Sequence, residues 1–399
     1  MRDLAGRDII CIGPVDWEPI WNRSQQLMSR LPHSSRILYV EPPATLLSAF
    51  KDRSLWFKWR QWARGARKKT ENIYLYSPPV MLPFGYMYPW VNRINQRWIL
   101  LFTGRIARKL GFRDPIVWTY LPNTLLLAEG LKPSVLVYDC VDEHSEFPGL
   151  ISRDAVLEME RELLGRSDLV FATAQGLYEA KKKYAPNIYL LPNAADVGHF
   201  ALAEREETQV LGEIDRLPHP LLGFIGVIHE WIDLDLIEFI ARSRPGWTIA
   251  MIGPVGPGIQ VDRLNSLPNV HFFGRKGRED LPGYLKAFDV CLNPFRKNEL
   301  TDRVSPLKVY EYLASGRPVV SVDMPGVQEF KEVIEIAGDY EGFLAAVDRV
   351  ISTDSPEKKK VRLEVAARHS WESRAAFIAE KIVEMLSGIT SGQETGDCS

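Results

Sequence analysis

Cysteine is scarce in this sequence, and no two cysteines have the spacing of a metal-binding or redox pair. The four cysteines, Cys11, Cys140, Cys291 and Cys398, are far apart, and no CxxC motif occurs. This spacing argues against a zinc ribbon and a disulfide framework, and it suits a reducing compartment. The sequence also lacks an uncharged apolar run of the ~18 residues that a membrane span requires. We therefore expect a cytoplasmic protein with neither a secretion signal nor a transmembrane helix.

Several catalytic motifs are missing as well. Gly13–Glu18, after the first apolar run, does not match the GxGxxG loop of nicotinamide-dependent enzymes, and neither GxSxG nor HExxH occurs. Asp233 and Asp235 have the Asp-x-Asp spacing of metal-dependent transferases. They stand at the start of an amphipathic pattern, however, where helix capping is the favoured interpretation. We expect no metal site and no bound cofactor.

The length and composition are those of a two-domain globular protein. The chain has 399 residues, of which 46% are hydrophobic, 25% charged and 11% aromatic, which is enough for two domains of ~150–200 residues. The net charge of −2 conceals an asymmetry: residues 1–200 carry 26 Lys and Arg against 20 Asp and Glu, and the remainder carries 23 against 31. The basic first half predicts an anionic partner for the first domain.

Short apolar runs alternate with helical patterns along the whole chain. This alternation predicts parallel sheets covered by helices on both faces, in two doubly wound domains of the α/β class. The candidate strands are Asp8–Gly13, Arg36–Val40, Asn72–Tyr76, Ile116–Tyr120, Val135–Asp139, Leu169–Thr173, Ile188–Leu191, Leu222–Gly226, Thr248–Gly253, Val270–Gly274, Asp289–Asn293, Val319–Val322 and Val333–Ala337.

The domain boundary is predicted from a polar stretch between two structured regions. Residues 201–217 are mostly polar, so we assign residues 1–205 to an N-terminal domain and residues 206–370 to a C-terminal domain. An amphipathic helix is expected over 371–386, packing back on the N-terminal domain. The small, polar residues 387–399 predict a disordered tail.

One segment of the second half has the features of an anion-binding helix. Ser305 is a good N-cap, Pro306 suits the first helical position, and a helix is predicted over Pro306–Ser315. Lys308 falls in the first turn, where the helix dipole disfavours a cation unless an anion also binds there. Glu311, one turn further on, is placed to accept hydrogen bonds from sugar hydroxyls. The alternative interpretation is a capped surface helix with an ordinary Lys–Glu pair.

A second segment, Lys51–Lys69, is both basic and aromatic. It contains eight Lys and Arg and one acidic residue. A helical wheel places Leu55, Trp56, Trp59 and Trp62 on one face and the cations opposite, which is the pattern of a helix lying in a membrane interface. The alternative is a helix that packs its tryptophans on the domain core. The residues predicted to contact the membrane are Trp56, Trp59, Arg60, Trp62, Arg64, Arg67 and Lys68.

Taken together, several segments resemble the GT-B-fold glycosyltransferases, specifically the family-4 type that uses nucleotide sugars. Tyr138–Glu143 looks like the loop after an N-terminal-domain strand, and Leu191–Asp196 is similar to the family's PNGVD segment. Gly223–Gly226, Phe272–Gly274 and Ser305–Val320 resemble segments of the donor-binding domain, the last of them its donor-site helix. The resemblance implies two Rossmann-like domains that face each other across a cleft.

The resemblance also implies an activity. It is the transfer of a sugar from a nucleotide diphosphate, with UDP favoured over GDP, to a lipid-linked or polymeric cell-surface glycan. It further implies independence of metal and retention of anomeric configuration. The basic, aromatic segment Lys51–Lys69 adds the expectation of a peripheral location at the inner face of the cell membrane. No nucleic-acid motif accompanies its charge, so nucleic acid is not expected as a partner. Two rival hypotheses stay open, a nucleotide-sugar epimerase of the same fold and an inactive, membrane-recruited binding module.

The residues that the resemblance assigns to the donor lie in the second half. They are Gly226, Gly274, Arg275, Arg303, Ser305, Leu307, Lys308 and Glu311. Arg303 stands where the family often has the first of two glutamates, and the usual basic pair after the glycine loop is replaced by Val227–Trp231. Lys308, with Arg303, is therefore the expected phosphate cation.

The candidate catalytic residue of the first half is Asp142. It follows a predicted strand and stands beside Glu143 and His144. A carboxylate there can remove a proton from an acceptor hydroxyl. The alternative is a solvated loop whose acidic residues cap a helix.

Overall fold

The chain divides into two compact units. A computed structural model describes residues 4–18, 21–47, 56–147, 149 and 151–394. Unit 1 comprises residues 1–192 together with the C-terminal segment from Arg374, and unit 2 comprises Asn193–Ser373. Each unit is built on one sheet of mainly parallel strands with helices between them. The predicted class, two doubly wound α/β domains, is confirmed.

Unit 1 is organised around its larger sheet. The strands are β1 (Asp8–Ile12), β2 (Arg36–Val40), β3 (Arg67–Lys68), β4 (Ile73–Tyr76), β5 (Ile116–Thr119), β6 (Val135–Cys140), β7 (Leu169–Ala172) and β8 (Ile188–Leu190). They follow the order β3-β4-β2-β1-β5-β6-β7-β8, parallel except for the antiparallel β3–β4 pair. Every residue of β1, β5, β6 and β7 is buried, because helices cover both faces of a parallel sheet.

The helices of unit 1 connect these strands. They are α1 (Arg23–Met28), α2 (Trp56–Arg64), α3 (Pro89–Lys109), α4 (Leu125–Gly130), α5 (Arg153–Arg166) and α6 (Gln175–Lys181), with a 3-10 turn at His144–Glu146. Helix α3 begins with Pro89 at its first position and ends with Arg108 and Lys109 in its last turn, an arrangement that suits the helix dipole.

Unit 2 repeats the plan with six parallel strands. These are β9 (Leu221–Ile225), β10 (Thr248–Ile252), β11 (Val270–Gly274), β12 (Val290–Asn293), β13 (Val319–Val322) and β14 (Glu335–Ala337), in the order β11-β10-β9-β12-β13-β14. Its helices are α7 (Val197–Phe200), α8 (Leu234–Ser243), α9 (Asp262–Asn265), α10 (Leu281–Ala287), α11 (Leu307–Ala314), α12 (Tyr340–Thr353) and α13 (Pro356–Arg368).

The predicted domain limits need two corrections. The division falls after Pro192 rather than after residue 205, because Ala195, Phe200 and Ala203 are buried in the core of unit 2. The last helix, α14 (Trp371–Glu394), continues past residue 386, so the disordered tail predicted from residue 387 is wrong for 387–394. Residues 395–399 lie outside the described part of the chain. Phe377 of this helix contacts Phe171 in unit 1.

The helix predicted across Lys51–Lys69 is also shorter than expected. Residues 51–55 lie outside the described part. Helix α2 ends at Arg64, because Gly65 adopts a φ of +74° that only glycine reaches without strain. Arg67 and Lys68 then form β3 on the edge of the sheet. The helical wheel therefore misplaces both of these cations.

Candidate active site

Helix α11 begins where two segments of unit 2 are joined by hydrogen bonds. Asn193 donates through its backbone N–H to Ser305 Oγ (3.2 Å) and through Nδ2 to the Ser305 carbonyl oxygen (2.8 Å). The Ser305 and Tyr310 hydroxyls are 3.1 Å apart, and Tyr310 donates to Glu329 Oε1. Ser305 is buried, so its hydroxyl holds the loop in place. The resemblance assigns Ser305 to the donor site.

The helix starts one residue later than predicted. Pro306 occupies the N-cap position and Leu307 is the first helical residue, half-buried. Arg303 is also half-buried and ends a 3-10 turn, Thr301–Arg303, just before this loop. The left-handed Gly316, with a φ of +72°, follows the helix and ends it. The first turn of the helix thus carries Lys308 and follows shortly after Arg303 along the chain.

Lys308 and Glu311 form a pair over the end of β9. Lys308 Nζ lies 3.1 Å from Glu311 Oε2, and both side chains are partly exposed. Cε of Lys308 lies 3.0 Å from the position that a Cβ atom on Gly226 would take. Three of the predicted donor residues, Gly226, Lys308 and Glu311, are therefore brought together at the carboxyl ends of parallel strands, where doubly wound sheets bind ligands.

The next two strand ends continue the same edge of the sheet. A Cβ atom on Gly253 would collide with the carbonyl oxygen of Gly226, so the two backbones approach as closely as glycine allows. Gly253 donates its N–H to the carbonyl oxygen of Gly274 (2.9 Å). Gly274, which has a φ of +62°, and Arg275 are exposed at the end of β11. Backbone groups and one exposed guanidinium are thus available beside Gly226.

His199 lies close enough to Glu311 to feel its charge, although the sequence did not indicate this histidine. Its Nε2 lies 2.9 Å from the carbonyl oxygen of Arg278, and Arg278 is paired with Asp196. Burial and the Arg278 guanidinium lower the pKa of His199, while the negative charge of Glu311 raises it in part. The segment that carries Asp196 was recognised by its similarity to a family motif, but no local pattern singles out a histidine three residues later.

In unit 1, Asp142 stands after β6 beside His144. Burial raises the pKa of the Asp142 carboxyl above its usual range, and the nearby imidazole of His144 lowers it in part. Burial lowers the pKa of His144, whose Nε2 lies 3.2 Å from the Tyr120 carbonyl oxygen. A carboxylate with a raised pKa next to a neutral imidazole has the character of a general base.

The loop that carries Asp142 is tied down by a buried ion network. Lys181 Nζ lies 2.9 Å from Glu143 Oε1 and 2.5 Å from Glu160 Oε2, and all three side chains are at most 5% exposed. Tyr138 donates to Glu160 as well (2.8 Å). Buried charges persist only when paired, so this network fixes Glu143 and with it the position of the neighbouring Asp142.

The Asp-x-Asp pair is structural, as the capping interpretation predicted. Asp233 Oδ1 accepts from the backbone N–H groups of Asp235 and Leu236 at the start of α8. Asp235 pairs with Arg263 and Arg296. Within the described residues, no three His, Cys, Asp or Glu side chains are grouped as a metal site requires.

The predicted membrane-contact residues fall into two groups. Trp59, Arg60, Arg64 and Lys68 are exposed. Trp62 instead packs on the core and on the Phe102 ring (5.4 Å), and Arg67 pairs with the buried Glu41 (2.9 Å), so the prediction is wrong for these two. The side chain of Trp56 lies outside the described part. Among the described residues, no helix has the length and apolar composition needed to cross a bilayer.

Comparisons with known proteins find a family model and a curated relative that resemble this chain. Residues 219–353 match the family model described as glycosyl transferases group 1. The chain is 26% identical over 274 residues to a putative teichuronic acid biosynthesis glycosyltransferase, TuaH, of Bacillus subtilis strain 168, covering 64% of this chain and 68% of the relative.

Solved structures with little sequence identity have the same fold. Sucrose-phosphate synthase of Thermosynechococcus elongatus superposes with a TM-score of 0.71 at 14% identity, covering 96% of this chain and all of that one. HepE of Anabaena in complex with UDP-glucose superposes with a TM-score of 0.65 at 16% identity, covering 96% of this chain and 99% of that one. An Escherichia coli trehalose-6-phosphate protein bound to UDP-2-fluoro glucose superposes with a TM-score of 0.66 at 13% identity, covering 94% of this chain and 99% of that one.

The fold, the family match in unit 2 and the curated relative lead to one assignment. They confirm the fold class and the enzyme class expected from the sequence. The chain is a nucleotide-sugar-dependent glycosyltransferase of the GT-B fold, and its residues 219–353 match the family model of the glycosyl transferases group 1.

Proposed function

We propose that this enzyme transfers a sugar from a UDP-sugar to a lipid-linked or polymeric cell-surface glycan, without a metal ion and with retention of configuration. The name of the teichuronic acid relative supports the acceptor class. The UDP-sugar complexes of HepE and the E. coli protein support the base. The observation that supports this proposal most strongly is the placement of Lys308 between Gly226 and Glu311.

The proposed roles follow from charge and geometry. The Lys308 ammonium and the N–H groups at the start of α11 neutralise the leaving diphosphate, a task that cations and a helix N-terminus perform well. Glu311 accepts hydrogen bonds from the ribose hydroxyls, and backbone groups near Gly274 and Arg275 contact the base. Asp142 acts on the acceptor hydroxyl.

Calorimetry with UDP and uridine tests the donor site. Lys308→Ala should weaken UDP binding by ~1.5–3 kcal/mol, the scale of a charge-assisted hydrogen bond, and should leave uridine binding nearly unchanged. Lys360→Ala, at a lysine that is 80% exposed, is the matched control. Unchanged UDP affinity in a folded Lys308→Ala protein would contradict the proposal.

We also propose that unit 1 docks on an anionic membrane through the outer faces of α2 and α3. Phe57 and Trp59 on α2 and Trp98 and Leu101 on α3 are exposed. The Trp62–Phe102 contact holds the two helices side by side. Aromatic rings bury well at the headgroup level of a bilayer, so these side chains suit that depth.

The charge of α3 supports the same partner. The helix contains five Lys and Arg and no acidic residue, and Arg93 and Arg97 flank its exposed apolar side chains. Each cation near an anionic surface adds ~1 kcal/mol of attraction. This surface extends the basic segment predicted from the sequence to a second helix.

Sedimentation with phosphatidylglycerol vesicles tests the docking surface. Trp59→Ser with Trp98→Ser should release the protein and leave its melting temperature nearly unchanged, because both rings are exposed. Arg93→Gln with Arg97→Gln should do the same and reduce the salt dependence. Wild-type protein that stays in solution at low salt would show the membrane proposal to be wrong.

A further inference from the structure

The start of helix α11 is held by a relay of hydrogen bonds through four residues of unit 2, Asn193, Ser305, Tyr310 and Glu329. The backbone N–H of Asn193 donates to Ser305 Oγ (3.2 Å), and the Ser305 and Tyr310 hydroxyl oxygens are 3.1 Å apart. Tyr310 in turn donates to Glu329 Oε1 (2.8 Å). A carboxylate accepts and a tyrosine has one O–H to give, so Ser305 donates to Tyr310. The relay therefore runs in one direction and ends on a charge, which strengthens its bonds.

The Asn193 end of the relay is fixed by the pairing of two segments. Two residues further along, Ala195 donates its N–H to the His369 carbonyl oxygen (3.0 Å), and its own carbonyl oxygen accepts from the Trp371 N–H (3.2 Å). Ala195 and Trp371 are buried. The relay thus begins at a segment that cannot shift without breaking these bonds.

The Glu329 end belongs to a 3-10 helix, Pro325–Phe330, which packs on the residues just before α11. A Cβ atom on Gly326 would collide with the Val304 carbonyl oxygen and would lie 3.0 Å from Cδ of Pro306. Glycine therefore allows this 3-10 helix to approach the loop closely, and the approach brings Glu329 to the start of α11.

The later part of α11 is held by a different bond. The Tyr312 hydroxyl accepts from the Ile225 N–H at the end of β9 (2.9 Å), and the Tyr312 side chain is buried. Glu311, beside Tyr312, is therefore fixed to the sheet. Lys308 stands in the first turn, next to the loop that the relay holds. Loss of the relay should thus displace Lys308 more than Glu311.

We propose that Tyr310 and Glu329 are positioning residues for the donor. Through Ser305 they hold the first turn of α11 where Lys308 meets the diphosphate, so the inference rests on the diphosphate site proposed above. Tyr310 is 1% exposed and acts through the helix rather than by contact with the nucleotide. Its effect should appear in the affinity for UDP and not in the affinity for uridine.

Calorimetry with UDP and uridine on the full chain tests this inference. Tyr310→Phe removes one hydroxyl from the relay, and we expect the Kd for UDP to rise about five- to tenfold, the scale of one lost hydrogen bond. The Kd for uridine should stay nearly unchanged. Tyr340→Phe is the matched control, because Tyr340 also donates to a carboxylate, Asp233 Oδ2 (2.8 Å), on another helix of unit 2. This control should bind UDP as the wild type does.

Two variants of Glu329 test the other end of the relay. Glu329→Ala should act like Tyr310→Phe, and Glu329→Gln should restore most of the UDP affinity, because its amide oxygen still accepts from Tyr310. These variants decide the matter even where Tyr310→Phe melts at a much lower temperature. In a Lys308→Ala background, Tyr310→Phe should change the UDP affinity much less, since the lysine that it displaces is gone.

Unchanged UDP affinity in Tyr310→Phe and Glu329→Ala would overturn the inference. An equal loss of uridine and UDP binding would do so too, because it indicates a general loosening of unit 2, as would a Glu329→Gln protein no better than Glu329→Ala. Lys308→Ala by itself reports on the diphosphate site. If it leaves UDP affinity unchanged, the proposed donor site fails; if it weakens UDP binding and the relay variants do not, only the positioning role fails.

Discussion

Lys308 covers Gly226 so closely that a Cβ atom at position 226 would lie 3.0 Å from Cε of the lysine. The Phe224 ring is equally close on another side. Glycine at the end of β9 is therefore required by the position of the lysine as well as by the approach of a donor. This relationship makes the two residues energetically dependent on each other.

Gly226→Ala should displace Lys308 and weaken UDP binding by ~1–3 kcal/mol, the usual cost of forcing extra carbon into a packed site. In a Lys308→Ala background the same change should cost much less, because the displaced group is gone. A double-mutant cycle by calorimetry measures this coupling. Additive effects of the two changes would contradict the dependence.

Glu311→Gln should weaken uridine and UDP binding to the same extent, by ~1.5–3 kcal/mol, because ribose is common to both and a charged acceptor is lost. Lys308→Ala should instead weaken the binding of UDP and leave the binding of uridine nearly unchanged. Glu341→Gln, at an exposed glutamate of α12, serves as the control. An effect of Glu311→Gln on UDP alone would place Glu311 at the phosphates.

Asp142→Asn should reduce transfer by ~10²–10⁴ and leave UDP affinity unchanged. Burial raises the pKa of Asp142, so the rate of wild-type transfer should increase with pH over a range above the ordinary aspartate pKa of ~3.9. The Asp142→Asn protein should not show this increase of rate with pH. Asp154→Asn, at an exposed residue of α5, should behave as wild type. Transfer within a few-fold of wild type would reassign Asp142 to orienting the acceptor.

The same pKa predicts an effect on stability. A carboxyl whose pKa is raised on folding contributes stability that is complete below the unfolded value and is lost as pH rises through the folded value. The ionised form of Asp142 is therefore less favourable to the fold than the protonated form. The Asp142→Asn protein should melt at the same or a higher temperature than wild type at pH 7, measured by calorimetry. A marked decrease would contradict the raised pKa.

Lys181→Met should destabilise unit 1 by ~3–5 kcal/mol, because it leaves the carboxylates of Glu143 and Glu160 buried without their cation. Burial lowers the pKa of Lys181, but its acidic neighbours, Glu160 foremost, outweigh burial and raise it overall. Lys182→Met is the matched control, since that lysine is half exposed and pairs only on the surface. Equal melting temperatures of the two variants would show that the network contributes little.

Much of the fold follows from local patterns. Each strand predicted from an apolar run is present within two residues of its predicted limits, and within the described part of the chain only the two-residue β3 was missed. Hydrophobic periodicity reflects which residues are buried, so helices and strands with buried faces can be recognised in the sequence. The helix α11 was predicted from another local signal, the capping residues Ser305 and Pro306 at its start.

The sequence by itself thus determined the alternation of strands and helices, the class of fold and the helix that carries Lys308 and Glu311. Only the tertiary structure decided what each polar side chain meets. Ser305 binds Asn193, Arg67 pairs with Glu41, and Gln96 shares a cavity with Asn123. These partners are separated along the chain by 112, 26 and 27 residues. Periodicity and capping act over one or two turns, so they cannot specify contacts that form only when distant strands pair and bring their loops to one edge of a sheet.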